Sequence, residues 1–283
     1  MLNKKQFELL AELERSPQST QRTLAKHIGI SLGTVNKTLG ELEALGYCAG
    51  GKVTSAGLDA LEPYRVKRAV ILAAGFGSRL VPVTLNTPKP LVRVNGKRIV
   101  DSLLDALIAV GIEEIYLVRG YLAPQFDQLL SRYPTIRMIE NPLYNEANNI
   151  SSVLCAKDHL ENAYICEADL LVSNPDLIRK YQYTTNYLGV PVKKTDDWCF
   201  YCKNGYITHM TVGGTDCYHM YGISYWTKED GERLSGHVEE VFRTPGGRER
   251  YWDQVALDYY PEQYRIAVRP CTFDDITEID TYK

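Results

Sequence analysis

The segment Leu72-Ala73-Ala74-Gly75-Phe76-Gly77-Ser78-Arg79 closes a short apolar run, Ala69-Val70-Ile71-Leu72. Glycines after such a run let backbone N–H groups approach a phosphate closely, and a helix opening behind the loop would add its dipole. The spacing departs from a dinucleotide fingerprint, because Leu80 stands where a third glycine is required, and no Walker A loop is present. Pro82 and then Thr87-Pro88-Lys89-Pro90-Leu91 follow the loop. Two cations, Arg79 and Lys89, thus stand near a phosphate cradle. Farther on, Glu167-Ala168-Asp169 ends another apolar run, Tyr164-Ile165-Cys166. Near the C-terminus come Tyr251-Trp252-Asp253 and Glu278-Ile279-Asp280. Carboxylates are hard oxygen donors of the kind Mg²⁺ prefers, and a strand would put Glu278 and Asp280 on one face.

Other reactive residues form no comparable pattern. Cys199 and Cys202 are three apart in a strand-like stretch and would face opposite sides, and no second Cys-x-x-Cys supports a zinc site. None of the histidines sits beside a plausible nucleophile. The odd number of cysteines fits reduced thiols better than a disulfide framework.

Taken together, the glycine loop, Arg79 and the Pro88-Lys89-Pro90 segment resemble the sugar-nucleotide pyrophosphorylase superfamily of nucleotidyltransferases. Asn148-Asn149 with Ser151, the Glu-Ala-Asp segment, Trp198, Tyr-Trp-Asp and the terminal Glu-Ile-Asp narrow the resemblance, over about residues 66–280, to bacterial CTP:phosphocholine cytidylyltransferases. The resemblance implies that Lys89, Arg79 and Asp169 are catalytic. Arg79 would hold the β- and γ-phosphates, and Lys89 the α-phosphate or the incoming phosphate. Leu72, Ala73, Ala74, Gly75, Gly77 and Ser78 would cradle the nucleotide, with Gly120-Tyr121 flanking the base and Ser151 contacting cytosine. Asp169 with Glu278 or Asp280 would bind Mg²⁺. Asn149, Trp198, Tyr251 and Asp253 would face the acceptor, because a quaternary ammonium is held by π faces and carboxylates. Glu167 departs from the aspartate usual at its position. The implied partners are CTP and a small phosphorylated amino alcohol, phosphocholine first. 2-Aminoethylphosphonate, phosphoethanolamine, a sugar 1-phosphate, or a ligand-sensing regulator are the alternatives, and spacing alone does not separate CTP from UTP.

These residues need a scaffold. From Val66, apolar runs (Ala69–Leu72, Ile115–Val118, Ile136–Ile139, Tyr164–Cys166) alternate with helical stretches at 99–110, 123–132 and 150–160. That alternation predicts an α/β, doubly wound, mostly parallel sheet, GT-A-like, with aromatic strands beyond Leu188. Residues 66–283 are expected to form this nucleotidyltransferase domain.

Residues 1–62 carry a different pattern. Phe7, Leu10 and Leu13, then Leu24 and Ile28, then Val35, Leu39, Leu42 and Leu45 recur at helical spacing, with Ser/Thr caps before the second and third runs. A Gly50-Gly51 hairpin and a last helix at Ser55–Leu61 complete what resembles a winged helix-turn-helix. Ser31, Thr34, Asn36, Lys37 and Thr38 would open a recognition helix onto DNA. The segment's Lys/Arg (4, 5, 15, 22, 26, 37, 52) are balanced by its Asp/Glu (8, 12, 14, 41, 43, 59, 62), so a dimerisation or regulatory role is the alternative. The chain's net charge of -3 excludes polyanion binding by bulk electrostatics. No run reaches the roughly 18 apolar residues of a membrane helix, and the charged N-terminus lacks a signal-peptide core, so a cytoplasmic location is expected. The oligomeric state, a homodimer among the options, stays open.

Overall fold

The computed structural model describes residues 1–279 and resolves into two compact units, 1–65 with 181–183, and the remainder.

The first unit packs α1 (Lys4–Arg15), α2 (Gln21–Ile28) and α3 (Leu32–Ala44) around Phe7, Leu10, Leu24, Val35 and Leu42. Thr20 and Ser31 cap α2 and α3 through their hydroxyls. Strands β1 (Cys48–Ala49) and β2 (Lys52–Val53) form the wing across Gly50 and Gly51, both at positive φ. Helix α4 (Ser55–Leu61) follows. Two expectations change here. Thr38 is only 3% exposed and belongs to the helical core, and Ser31 spends its hydroxyl on the Thr34 N–H at 3.1 Å. Asn36 and Lys37 stay exposed on α3. Tyr181–Tyr183, expected within the larger domain, belong to the first unit instead. Their aromatic surface explains it: Tyr183 stacks on Tyr64 (centroids 5.5 Å apart, planes at 12°) and leans on Phe7.

In the second unit β3 (Arg68–Ala73) is central. It lies parallel to β6 (Glu114–Arg119) and β8 (Ala163–Glu167), and β7 (Ile136–Glu140) continues the parallel run beyond β6. Two short pairs frame the sheet: β4 (Arg93–Val94) with β5 (Lys97–Arg98), and β9 (Leu170–Val172) with β13 (Ile276–Glu278). Strands β10 (Asn186–Lys203) and β11 (Tyr206–Trp226) form a long hairpin, with β12 (Ala267–Pro270) parallel to β10. The sheet order is β10-β12-β11-β8-β3-β6-β7, and β11 runs antiparallel to β8. β3 is apolar from Ala69 to Ala73 because both its faces are covered there. Ala69, Ile71 and Ala73 pack with α5 (Ile99–Ala109), whereas Val70 and Leu72 pack with α6 (Ile150–Cys155) and α7 (Lys228–Arg243). The stretch expected to be helical at 123–132 is a 3₁₀ helix, Ala123–Ser131, entered through Pro124; that at 150–160 leaves the α conformation after Cys155.

No helix among the described residues is long and apolar enough to cross a membrane.

Candidate active site

The carboxyl ends of β3 and β8 open into a cleft of about 600 Å³, the place where open α/β sheets bind ligands. The glycine loop forms one wall. Its tight path depends on Gly77, at φ 64°, where an added Cβ would lie 3.0 Å from both Lys89 Cβ and Thr84 Cγ2. The Thr84 hydroxyl donates to the Gly77 carbonyl at 2.8 Å and fixes that turn. The dipole expected behind the loop is missing, because Ser78–Leu80 is a single 3₁₀ turn and not an α-helix. What the cleft offers a phosphate is therefore loop N–H groups and the side chains of Ser78, Arg79 and Lys89, all of which line it.

Lys89 is 8% exposed and donates to Asp169 Oδ2 at 2.7 Å. A lysine is buried at low cost only when paired, and here its partner sits in the turn after β8. Asp169 Oδ1 is also buried, yet has no hydrogen-bond partner among the described residues. Carboxylate oxygens of Glu167, Asp169 and Glu278 all lie within 4.8 Å of one another. The β13–β9 pairing produces this meeting, since Glu278 stands opposite Leu170, immediately after Asp169. An orphaned buried oxygen amid three hard donors fits a divalent cation. Burial, together with the charges of Asp169, Asp253 and Glu278, pushes the Glu167 carboxyl well above its ordinary range. Asp280, expected as a metal ligand, lies outside the described residues.

A second wall is a hydrogen-bonded corner. Buried Asn141 donates to Ser151 Oγ at 2.9 Å and to Ser152 Oγ at 3.0 Å, and Ser151 donates to the Asn148 carbonyl at 2.8 Å. Asn149 Oδ1 accepts from the Trp252 backbone N–H at 2.9 Å, which ties this corner to the opposite wall. Gly120 and Tyr121, expected beside the base, do not line the cleft. They brace the loop from behind: the Tyr121 N–H donates to the Ala74 carbonyl, and its hydroxyl donates to the Thr84 carbonyl at 3.0 Å. Gly120 is required there because a Cβ would meet Tyr144 Cβ at 2.5 Å.

The far wall is built by β10 and β11. Their register slips by one residue between Thr195 and Trp198, a bulge that re-aims side chains. Asp197 and Trp198 from this bulge both line the cleft. Trp198 meets Tyr251, which is 42% exposed, edge to face with centroids 5.5 Å apart. The neighbouring Trp252 turns away, is 2% exposed, and packs on Tyr187 and Trp226. Asp253, 4% exposed, accepts from Tyr187 Oη at 2.8 Å. Burial lifts its carboxyl to about 7, against the opposing effect of that hydrogen bond.

Sequence reasoning did not find Asp197, Asn141, Met210, Met220 or Gly222, which also line the cleft. Asp197 had a readable signal, an acidic residue beside Trp198. The others owe their place to strand pairing that no short window contains. Neither group of described residues with metal-ligand geometry includes a cysteine.

A glycine loop facing a buried lysine–aspartate pair and a carboxylate cluster defines a nucleotide-activating transferase site. Residues 69–233 match the MobA-like NTP transferase domain family, and the chain belongs to that family as a nucleotidyltransferase. Residues 2–47 match the winged helix-turn-helix DNA-binding family. A 2-aminoethylphosphonate cytidylyltransferase of Lancefieldella rimae is 37% identical over 217 residues, covering 75% of this chain and 88% of its own. A choline-phosphate cytidylyltransferase of Streptococcus pneumoniae is 30% identical over 216 residues, 76% of this chain and 93% of its own. The solved structure of the Streptococcus pneumoniae CTP:phosphocholine cytidylyltransferase superposes with a TM-score of 0.71 at 30% identity, over 77% of this chain and 94% of that one. The resemblance to bacterial cytidylyltransferases therefore holds across the larger unit.

Proposed function

We propose that the enzyme joins CTP to a small phosphonate or phosphate that carries a cationic amine, with 2-aminoethylphosphonate as the first acceptor and phosphocholine as the second, and releases pyrophosphate. The observation that carries this reading is the far wall, where one edge-to-face aromatic pair, Trp198 and Tyr251, stands with the carboxylates Asp197 and Asp253. A quaternary ammonium is held best by several π faces, and the withdrawal of Trp252 into the core leaves few. A primary ammonium donates hydrogen bonds, for which the carboxylates supply acceptors. This ordering reverses the expectation that phosphocholine comes first. The 37% identical 2-aminoethylphosphonate enzyme supports it.

In this reading a phosphonate oxygen attacks the α-phosphorus of CTP. A new P–O bond forms as the bond to the β-phosphate breaks and pyrophosphate leaves. The acceptor oxygen is already anionic near neutral pH, so positioning and charge neutralisation carry the rate. Lys89, held by Asp169, and Arg79 neutralise phosphate charge. The glycine loop holds the triphosphate, and the Asn141–Ser151 corner faces the base. Asp169 and Glu278 would hold Mg²⁺, which, when bound, stabilises charge on the phosphoryl oxygens. The test is pyrophosphate release with each of CTP, UTP, ATP and GTP against 2-aminoethylphosphonate, phosphocholine, phosphoethanolamine and sugar 1-phosphates. Selective turnover of CTP with an amine-bearing acceptor is expected; preference for a sugar 1-phosphate overturns the reading.

For the first unit we infer DNA contact through α3. The family match over residues 2–47 and the exposed Asn36 and Lys37 support it. The even charge balance makes that contact weak, with few phosphate contacts and so a shallow dependence on salt. Retardation of a fragment from upstream of its own gene at low salt, lost in Lys37→Glu, is expected. No retardation at any salt would return the unit to dimerisation or regulation.

A further inference from the structure

Gly222 stands on β11 one rung beyond the Ile223–Cys166 pair, directly across from Glu167 at the end of β8. Both residues line the cleft. A Cβ built on Gly222 would lie 2.6 Å from Glu167 Cγ, 2.6 Å from its Oε2 and 2.7 Å from its Cδ. Atoms do not approach so closely, so the whole Glu167 side chain lies flat over the bare backbone of Gly222. Any side chain there would evict it. β-strand side chains alternate, and Glu167 shares the face of Ile165. That face also carries Met210, Tyr187 and Trp252, and the Tyr187 hydroxyl donates to Asp253. Glu167 thereby keeps an oxygen within 4.8 Å of those of Asp169 and Glu278 and lies at the floor of the acceptor wall, where the charge of Asp253 also reaches it.

We propose that Gly222 is a positioning residue for the acceptor: it lets Glu167 lie across β11, so that Glu167 and Asp253 together receive the acceptor's ammonium, while Asp169 and Glu278 serve the phosphate end. This inference rests on the proposed amine-bearing acceptor. It assigns a use to the glutamate that stands where an aspartate is usual, whose carboxylate lies one carbon farther from the strand. A glycine in a strand interior weakens the strand and often marks a close approach. Here the approaching group is a functional carboxylate.

The test is steady-state kinetics of Gly222→Ala, Glu167→Ala and the double variant, with CTP and 2-aminoethylphosphonate, beside ethylphosphonate, which lacks the ammonium. Each single variant is expected to raise the acceptor KM at least about tenfold, with the CTP KM changed less than about threefold, the split that marks loss of acceptor binding. In the Glu167→Ala background the clashing atoms are gone. Adding Gly222→Ala there is expected to change the acceptor KM by less than about twofold, and the double variant to melt with Glu167→Ala, as coupling through one contact requires. With ethylphosphonate, each of the three should lose several-fold less than with 2-aminoethylphosphonate, as the removal of an ammonium contact requires. If Gly222→Ala keeps its full effect without Glu167, Gly222 acts on the strand and the inference falls. If the losses are as large with ethylphosphonate, Glu167 serves the phosphate end and the inference also falls. A parent enzyme that turns over no amine-bearing acceptor would instead refute the underlying reading, a result visible before any variant is made.

Discussion

Replacing Asp253 with asparagine should make the protein more stable and less active. Asp253 is buried in the fold with its carboxyl at about 7, against 3.8 for an ordinary aspartate. The folded state therefore keeps a proton that the unfolded chain has released between those two values. Stability contributed by this group falls as pH rises through that window, and the whole penalty is present above about pH 7. At 1.36 kcal/mol per pH unit the penalty is on the order of 4 kcal/mol. Asparagine has the same shape and can still accept from Tyr187 Oη, so the substitution removes the charge and leaves the packing. For a unit of about 200 residues each kcal/mol moves Tm by roughly 2–4 °C. The assay is Tm of parent and variant, without ligands, from pH 5 to 9. Between pH 5 and about 7 the gap between the curves should widen by about 2.7 kcal/mol, or roughly 5–11 °C, and then stay level to pH 9, the variant higher. Glu167, also pushed up by burial, feels the charge of Asp253 as well, so the difference reads Asp253 together with its coupling to Glu167. The acceptor KM should rise at least about tenfold, because an amide does not neutralise an ammonium. Parallel Tm curves would refute the assignment of a buried, uncompensated carboxyl. Higher stability with unchanged acceptor KM would keep the electrostatics and remove Asp253 from the acceptor site.

Lys89→Ala should lower turnover at least about 100-fold, since it deletes a preorganised cation and leaves Asp169 unpaired; near-parental pyrophosphate release would exclude Lys89 from the chemistry. Millimolar Mg²⁺ should raise Tm of the parent and not of Asp169→Asn, because a ligand that binds only the folded state stabilises it by mass action; an equal rise in both would place the ion elsewhere. Trp198→Ala should raise the KM for phosphocholine by about tenfold and that for 2-aminoethylphosphonate less, because only the former depends on a π face. A loss confined to the CTP KM would move Trp198 to the nucleotide wall.

How much of the site can be read from the chain depends on how local each contact is. The glycine loop, Lys89 and Asp169 are legible because strand ends and tight turns announce themselves within a few residues, and the sheet then delivers them to one edge. The same locality exposes the helix caps of the first unit. It fails where a side chain's direction is set from far away. Tyr251, Trp252 and Asp253 are consecutive, yet Tyr251 faces the cleft while Trp252 is drawn off by Tyr187 and Trp226, residues 65 and 26 positions earlier in the chain. Asp197 and Trp198 reach the cleft only because β10 slips against β11, which depends on a partner strand beyond the Asn204-Gly205 turn. Gly120-Tyr121 fails for a related reason. Position after a strand suggested ligand contact, but Tyr144 and Phe76 close over that corner and turn the pair into a brace. Phosphate chemistry is thus written in short motifs, because any nucleotide presents the same triphosphate to a loop. Acceptor choice, in the proposed reading, is written across β8, β10 and β11. There the absence of a single Cβ at Gly222 decides where a carboxylate can lie, and the kinetics of one glycine-to-alanine change read that part of the structure directly.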